Sequence, residues 1–157
     1  MSTLVTVSKT RLADANAISL LSRTQIEHGL PPRWSAKNVA RVLRQSETNA
    51  YSLFCNEQLS GFTIASFGDQ RMHLMLHAIA PTMLRRGLGR KLLQWQIDAA
   101  LVAGITEATL EVRADNVDAQ SFYQKLDFQP HKVIPRYYSN REDAVRMRRA
   151  PLYRANA

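Results

Sequence analysis

Three segments of the chain hold side chains whose types and spacing suit chemistry. The first is Leu84-Arg85-Arg86-Gly87-Leu88-Gly89-Arg90, followed by Lys91. Glycines let backbone approach a ligand, a helix start offers unpaired N–H groups, and arginine forks match phosphate oxygens. The segment therefore suits an anion such as a diphosphate, although a basic surface turn with a glycine at a helix entry accounts for the same residues. Two other phosphate motifs fail: the third glycine of the dinucleotide fingerprint falls at Leu92, and no Gly-Lys-Ser/Thr follows.

The second segment runs from Glu111 through Asn116 to Tyr123. A carboxylate on the non-core face of a strand can take a proton from an amine, directly or through water. A tyrosine hydroxyl can return one to a leaving group. A solvated strand-end glutamate and a core aromatic are the plainer readings of the same two residues. The third segment, Arg136 to Met147, carries Tyr137-Tyr138. Paired tyrosines in a loop between strands suit a rim gripping a chain-like substrate, and an amphipathic loop with one half-buried ring competes with that reading.

Elements must bring these segments together. Leu4 to Lys9 alternates as a strand, Asp14 is placed to cap a helix to about His28, and Gly29 with Pro31-Pro32 ends it. Ser35 caps a second helix to about Arg44. Ala50 to Cys55 and Leu59 to Phe67 form a hairpin, and His73 to Ala80 a strand stopped by Pro81. A helix follows the glycine loop, with Leu93, Ile97, Ala100 and Leu101 as its stripe, and Gly104 closes it. Glu107 to Arg113 is the next strand, and Val117 to Lys125 a helix striped by Ala119, Phe122, Tyr123 and Leu126. Strands over Gln129 to Ile134 and Asp143 to Arg149 complete the series. The order β-α-α-β-β-β-α-β-α-β-β predicts an α/β fold, a mixed sheet of about seven strands flanked by four helices.

The 157 residues suit a single domain with a frayed tail after about residue 151. A 45% hydrophobic and 22% charged composition is that of a globular protein with a core. No apolar run reaches the roughly 18 residues of a membrane span, and the start shows no secretory signal. Cys55 alone excludes an internal disulfide and fits a cytoplasmic setting; with four scattered histidines it predicts no metal site. The net charge of +8 suits an anionic partner.

Taken together the segments resemble the GNAT acetyltransferases. The carriers are Arg85 to Arg90 after a strand, Leu110-Glu111-Val112-Arg113-Ala114-Asp115-Asn116, Ser121-Phe122-Tyr123 and Leu126-Asp127-Phe128. Tyr137-Tyr138 followed by Glu142-Asp143-Ala144 narrows the resemblance to N-terminal protein acetyltransferases of the RimI type. The match is good from about Ala78 to Met147; before Arg71 it rests on element order and Pro32-Arg33-Trp34-Ser35.

The resemblance implies a splayed sheet and acetyl-CoA as cofactor. It implies pantetheine paired with backbone at Ala78, Ile79 and Ala80, and a pyrophosphate on the amides and side chains of Arg85, Arg86, Gly87, Leu88, Gly89 and Arg90. Asn116 would contact the cofactor. Glu111 would be the general base and Tyr123 the general acid, with no covalent enzyme intermediate. Trp34, Tyr137 and Tyr138 would line the acceptor site. The partner implied is a protein N-terminus, or in a second reading a small amine, with no membrane or direct nucleic-acid contact, in a monomer or homodimer. A third reading, from the charge alone, is a non-catalytic RNA- or ribosome-binding module.

The sequence departs from the family at Leu84, where Gln or Arg is usual, at Asp127, where glycine is usual, and at Leu76-His77. A strongly basic chain is also not suited to a basic acceptor unless Glu111, Asp115 and Asp118 make its cleft locally acidic.

Overall fold

Ser35 stands just before a run of helix formers and lends its Oγ to the amide of Asn38 at 3.2 Å, starting a helix where the sequence predicts one. In the computed structural model, which describes residues 3–153, such local choices build eleven principal elements. They are β1 (Val5–Lys9), α1 (Ala15–Gln25), α2 (Ala36–Leu43), β2 (Thr48–Cys55), β3 (Gln58–Phe67), β4 (Arg71–Ile79), α3 (Leu88–Val102), β5 (Glu107–Arg113), α4 (Val117–Gln124), β6 (Gln129–Tyr138) and β7 (Glu142–Arg149). Short 3-10 turns at Leu12–Asp14 and Pro81–Met83 precede α1 and α3.

The strands form one seven-stranded sheet in the order β1-β2-β3-β4-β5-β7-β6. Every neighbouring pair is antiparallel except β4 with β5, whose parallel pairing requires α3 as the crossover between them. The element order and the mixed sheet are those expected from the sequence. Asn56 and Glu57, at φ of 50° and 70°, make the tight β2–β3 turn.

Three differences have physical causes. Asp14 does not cap α1 with its side chain; its carboxylate instead accepts from the Arg11 amide at 2.9 Å and from Ser52 Oγ at 3.3 Å, tying the helix entry to β2. Strand β6 runs on to Tyr138 with a register break after Ile134, so the tyrosine pair sits at a strand end rather than in a loop. The tail is docked as far as Leu152, whose amide donates to Thr106 O at 2.7 Å and whose side chain is buried in the core. Its last residues, 154–157, lie outside the described part.

Apolar clusters hold α1 and α2 to the sheet through Ile18, Val39, Val42, Phe62, Ile64 and Leu76. Another joins Leu93 and Ile97 of α3 to Leu74, Leu110, Phe128 and Met147. Gln96 is fully buried among them, bonding the Asn49 side chain at 2.9 Å and the Asn49 carbonyl at 2.8 Å. Paired on both sides, this amide locks α3 onto β2 without an unsatisfied buried group.

Candidate active site

Strands β4 and β5 pair only from Arg71↔Glu107 to Leu74↔Leu110. Immediately beyond, Met75 bulges out of the β3–β4 ladder, between the pairs Ala65↔Leu74 and Ile64↔Leu76. A bulge bends its strand, and here it turns β4 away from β5. At the closed end Glu107 pins three strands, bonded to Arg71 at 2.7 Å and Arg148 at 2.6 Å. At the open end a cleft of about 420 Å³ forms, which brings together Trp34, Ala78, Ile79, Glu111, Asn116, Tyr123, Tyr137 and Tyr138 of the predicted set.

Glu111 is the first residue of β5 past its pairing with β4, and its side chain is only 6% exposed. Arg146, directly opposite on β7, donates twice to Oε1, at 2.6 and 3.1 Å. On the other side His73 Nε2 lies 2.8 Å from Oε2, while its Nδ1 is 2.7 Å from Thr109 Oγ1. Burial pushes this carboxyl up, but the hydrogen bonds and charges of His73 and Arg146 outweigh it and hold it below the ordinary carboxylate range. Glu111 is thus neither solvated nor free; it is a fixed carboxylate at the cleft wall.

Tyr123 packs edge-on against Phe122 and Phe128, with ring centres at 5.0 and 5.8 Å. Burial raises its hydroxyl well above the usual phenol range, so the proton is firmly held. The ring packs against the core and also lines the cleft. Beside it His77 Nε2 donates to the Gly89 carbonyl at 3.0 Å, and its Nδ1 has neither solvent nor a partner. Desolvation lowers its pKa to about 4 despite the opposing effect of that carbonyl, so the ring is neutral and fastens β4 to the start of α3.

The glycine loop lies beside the cleft rather than in its wall: Arg85, Arg86, Leu88 and Gly89 do not line it, and neither does Ala80, while Gly87 and Arg90 border a second, shallower groove along α3. The two glycines serve different ends. Gly87 adopts φ 74° as the residue before α3, with open space where a Cβ would stand. At Gly89 a Cβ would come within 3.3 Å of Phe122, so its bareness lets α3 pack on α4. Acetyl-CoA fits these features. The amides at the α3 start suit its diphosphate, and the β4 edge from Met75 to Ile79, unpaired with β5, suits its pantetheine. Asn116 spends its Oδ1 on the Ala119 amide at 3.0 Å as the α4 cap, leaving only its side-chain NH2 for a ligand.

On the other side of the cleft Tyr137 and Tyr138 stack edge to face at 4.9 Å. Burial raises both hydroxyls, and the Glu111 charge adds to this. Trp34 is held by a carboxylate that sequence reasoning passed over: buried Glu27 accepts from the amides of Arg33 and Trp34, the latter at 3.1 Å. Arg146 and His73 were likewise missed. Their signal is register, since Arg146 faces Glu111 on β7 and His73 faces Thr109 on β4, and register is unreadable before the strands are paired.

Residues 17–128 match the model of the acetyltransferase (GNAT) family. The chain is 31% identical over 145 residues to the [ribosomal protein bS18]-alanine N-acetyltransferase of Salmonella typhimurium, covering 84% of this chain and 95% of that one. The crystal structure of the ribosomal-protein-S18-alanine N-acetyltransferase from Escherichia coli superposes with a TM-score of 0.83 at 28% identity, over 98% of this chain and 97% of that one. The fold is shared with a PaiA N-acetyltransferase from Thermoplasma acidophilum in complex with coenzyme A, at a TM-score of 0.82 and 16% identity, over 94% of this chain and 99% of that one.

Proposed function

The chain belongs to the GNAT acetyltransferase family and is an acetyl-CoA-dependent N-acetyltransferase of the RimI-like kind, and we propose that its acceptor is the α-amine of a protein or peptide N-terminus. The observation that carries this reading is the lining of the cleft, where Trp34, Tyr137 and Tyr138 stand beside the fixed carboxylate of Glu111, in a chain 31% identical to a ribosomal protein bS18-alanine N-acetyltransferase. An α-amine has a pKa near 8, so freeing it of its proton at neutrality costs only about 1.4 kcal/mol. A lysine side chain, near 10.4, costs about 4.6 kcal/mol by the same measure, as does a comparably basic polyamine. The α-amine is thus the acceptor more easily brought to its neutral, nucleophilic form beside Glu111.

The division of labour follows. Acetyl-CoA, when bound, supplies a thioester carbonyl open to attack. The amides opening α3, with Arg85, Arg86 and Arg90 beside them, hold its diphosphate, and the free β4 edge at Ala78 and Ile79 holds its arm, the Ala80 amide being taken by the Ser60 carbonyl. Glu111 receives the amine proton through water, and the neutral amine attacks directly. Burial keeps the Tyr123 hydroxyl protonated at neutral pH, so it is present in the cleft to hydrogen-bond the departing thiolate and give it a proton. Trp34, Tyr137 and Tyr138 flank the incoming chain. Most of the acceleration comes from holding the two substrates in reacting geometry. The lone buried thiol of Cys55 suits a reducing compartment such as the cytoplasm.

The test is an acetyl-transfer screen following CoA release, with peptides starting in Ala, Ser, Met and acidic residues beside polyamines and a peptide with a blocked N-terminus and an internal lysine. Transfer to free N-termini with kcat/KM well above the other classes is the expected result. Preference for a small amine or the internal lysine would overturn the reading.

A further inference from the structure

A basic protein facing a basic acceptor needs an acidic cleft, and the structure does not build one. Glu111 is matched by Arg146 at 2.6 Å and by His73 at 2.8 Å. Asp115 stands 3.7 Å from Arg113 Nε, and Asp118 does not line the cleft. Glu27 is buried, its oxygens taken by the Arg33 and Trp34 amides and approached by Ser22 Oγ. Each carboxylate at the cleft is therefore already committed.

One cation there is not. Arg33 has no carboxylate within 4.0 Å among the described residues; its guanidinium lies 5.5 Å above the Trp34 ring. Its backbone is fixed by Glu27, and it lines the same cleft as Glu111 and Tyr137. A solvent-exposed arginine with a fixed backbone and an aromatic platform is a prepared carboxylate reader, because stacking leaves its N–H fork free.

We propose that Arg33 selects acceptor N-termini carrying an acidic side chain within their first three residues, pairing with that carboxylate while the α-amine sits at Glu111. The selection rests on the N-terminal reading above and deepens it. It also disfavours an arginine or lysine near the start of the acceptor, which would meet Arg33 and Arg113 in the cleft with no free acid to receive it.

The experiment compares kcat/KM for peptides beginning Ala-Asp, Ala-Ala-Asp, Ala-Ala-Ala and Ala-Arg, with the wild type and with Arg33→Ala and Arg33→Glu. Acetyl-CoA binding by calorimetry reports that each variant is folded. The better acidic peptide is expected to exceed the arginine peptide by roughly tenfold or more at low salt, and the ratio to shrink as salt is added. Arg33→Ala narrows the ratio and Arg33→Glu inverts it. Equal ratios in wild type and both variants, or a wild-type preference for the arginine peptide, overturn the selection and leave the N-terminal reading standing. If no peptide is acetylated while a small amine is, both fall together. Should Arg33→Glu fail to fold, the wild-type ratio and its salt dependence decide alone.

Discussion

His73 Nε2 lies 2.8 Å from Glu111 Oε2, reaching across from the strand that β5 parts from one residue earlier. With Arg146 on the far side, the carboxylate is gripped from both neighbouring strands at the point where the sheet opens. The grip sets both where Glu111 points and how basic it is.

Replacing Arg146 by Leu tests that grip through stability. A carboxylate with a depressed pKa in the folded state contributes stability that is full above its unfolded value near 4.5 and is lost as pH falls through the folded value. Arg146→Leu is expected to cost about 1–3 kcal/mol at pH 7, because it strands one side of a buried carboxylate. The difference from wild type should shrink below the unfolded value. Urea unfolding at neutral and acid pH checks this, and a difference that does not change with pH would contradict it.

Tyr123 is predicted to carry chemistry as well as packing. Tyr123→Phe keeps the ring among Phe122 and Phe128 and removes only the hydroxyl. We expect kcat to fall by about 10²–10⁴ with the melting temperature nearly unchanged. A marked loss of stability in an enzyme whose folded fraction turns over normally would make Tyr123 a core residue only.

His77 makes stability fall toward acid. Its unfolded value is 6.5 and its folded value about 4, so the unfolded chain binds the proton first as pH drops through that window. By the pKa difference, stability declines by about 3 kcal/mol between those limits. His77→Leu removes this dependence, and denaturation at pH 7.5 and pH 4 should show wild type losing more than the variant. Equal losses would mean that the ring accepts its proton without strain.

Gly87→Val places a β-branched residue at φ 74°, a conformation that costs such residues about 1–2 kcal/mol. Among the described residues nothing lies within 4 Å of the new Cβ, so the further expectation, weaker acetyl-CoA binding, reports ligand approach. Calorimetry showing unchanged affinity would remove the backbone cradle from the account.

Much of this fold is legible in the sequence because the strongest signals are local. The Glu107–Arg113 strand, the Ser35 cap and the hairpin joining Ala50–Cys55 to Leu59–Phe67 each follow from a few adjacent residues, and all three stand where expected. What is not legible depends on long-range pairing. Gln96 lies outside the stripe expected for its helix, yet it is buried because Asn49 and the β3 carbonyl of Thr63 meet it. Glycine at position 89 reads as a ligand contact, yet its nearest neighbour is Phe122, 33 residues on. Glu111, Tyr123 and the tyrosine pair are named by their motifs, but the clamp that sets the basicity of Glu111 comes from two strands its own motif does not contain.

The most direct test is the rate of acetyl transfer to a peptide N-terminus by Glu111→Gln, measured beside its affinity for acetyl-CoA. Glutamine keeps the shape and a hydrogen-bond acceptor but accepts no proton. Affinity within about twofold of wild type, with kcat lower by about 10²–10⁴, is the predicted result. A wild-type rate with every acceptor that the enzyme accepts would contradict the central claim that Glu111 takes the amine proton.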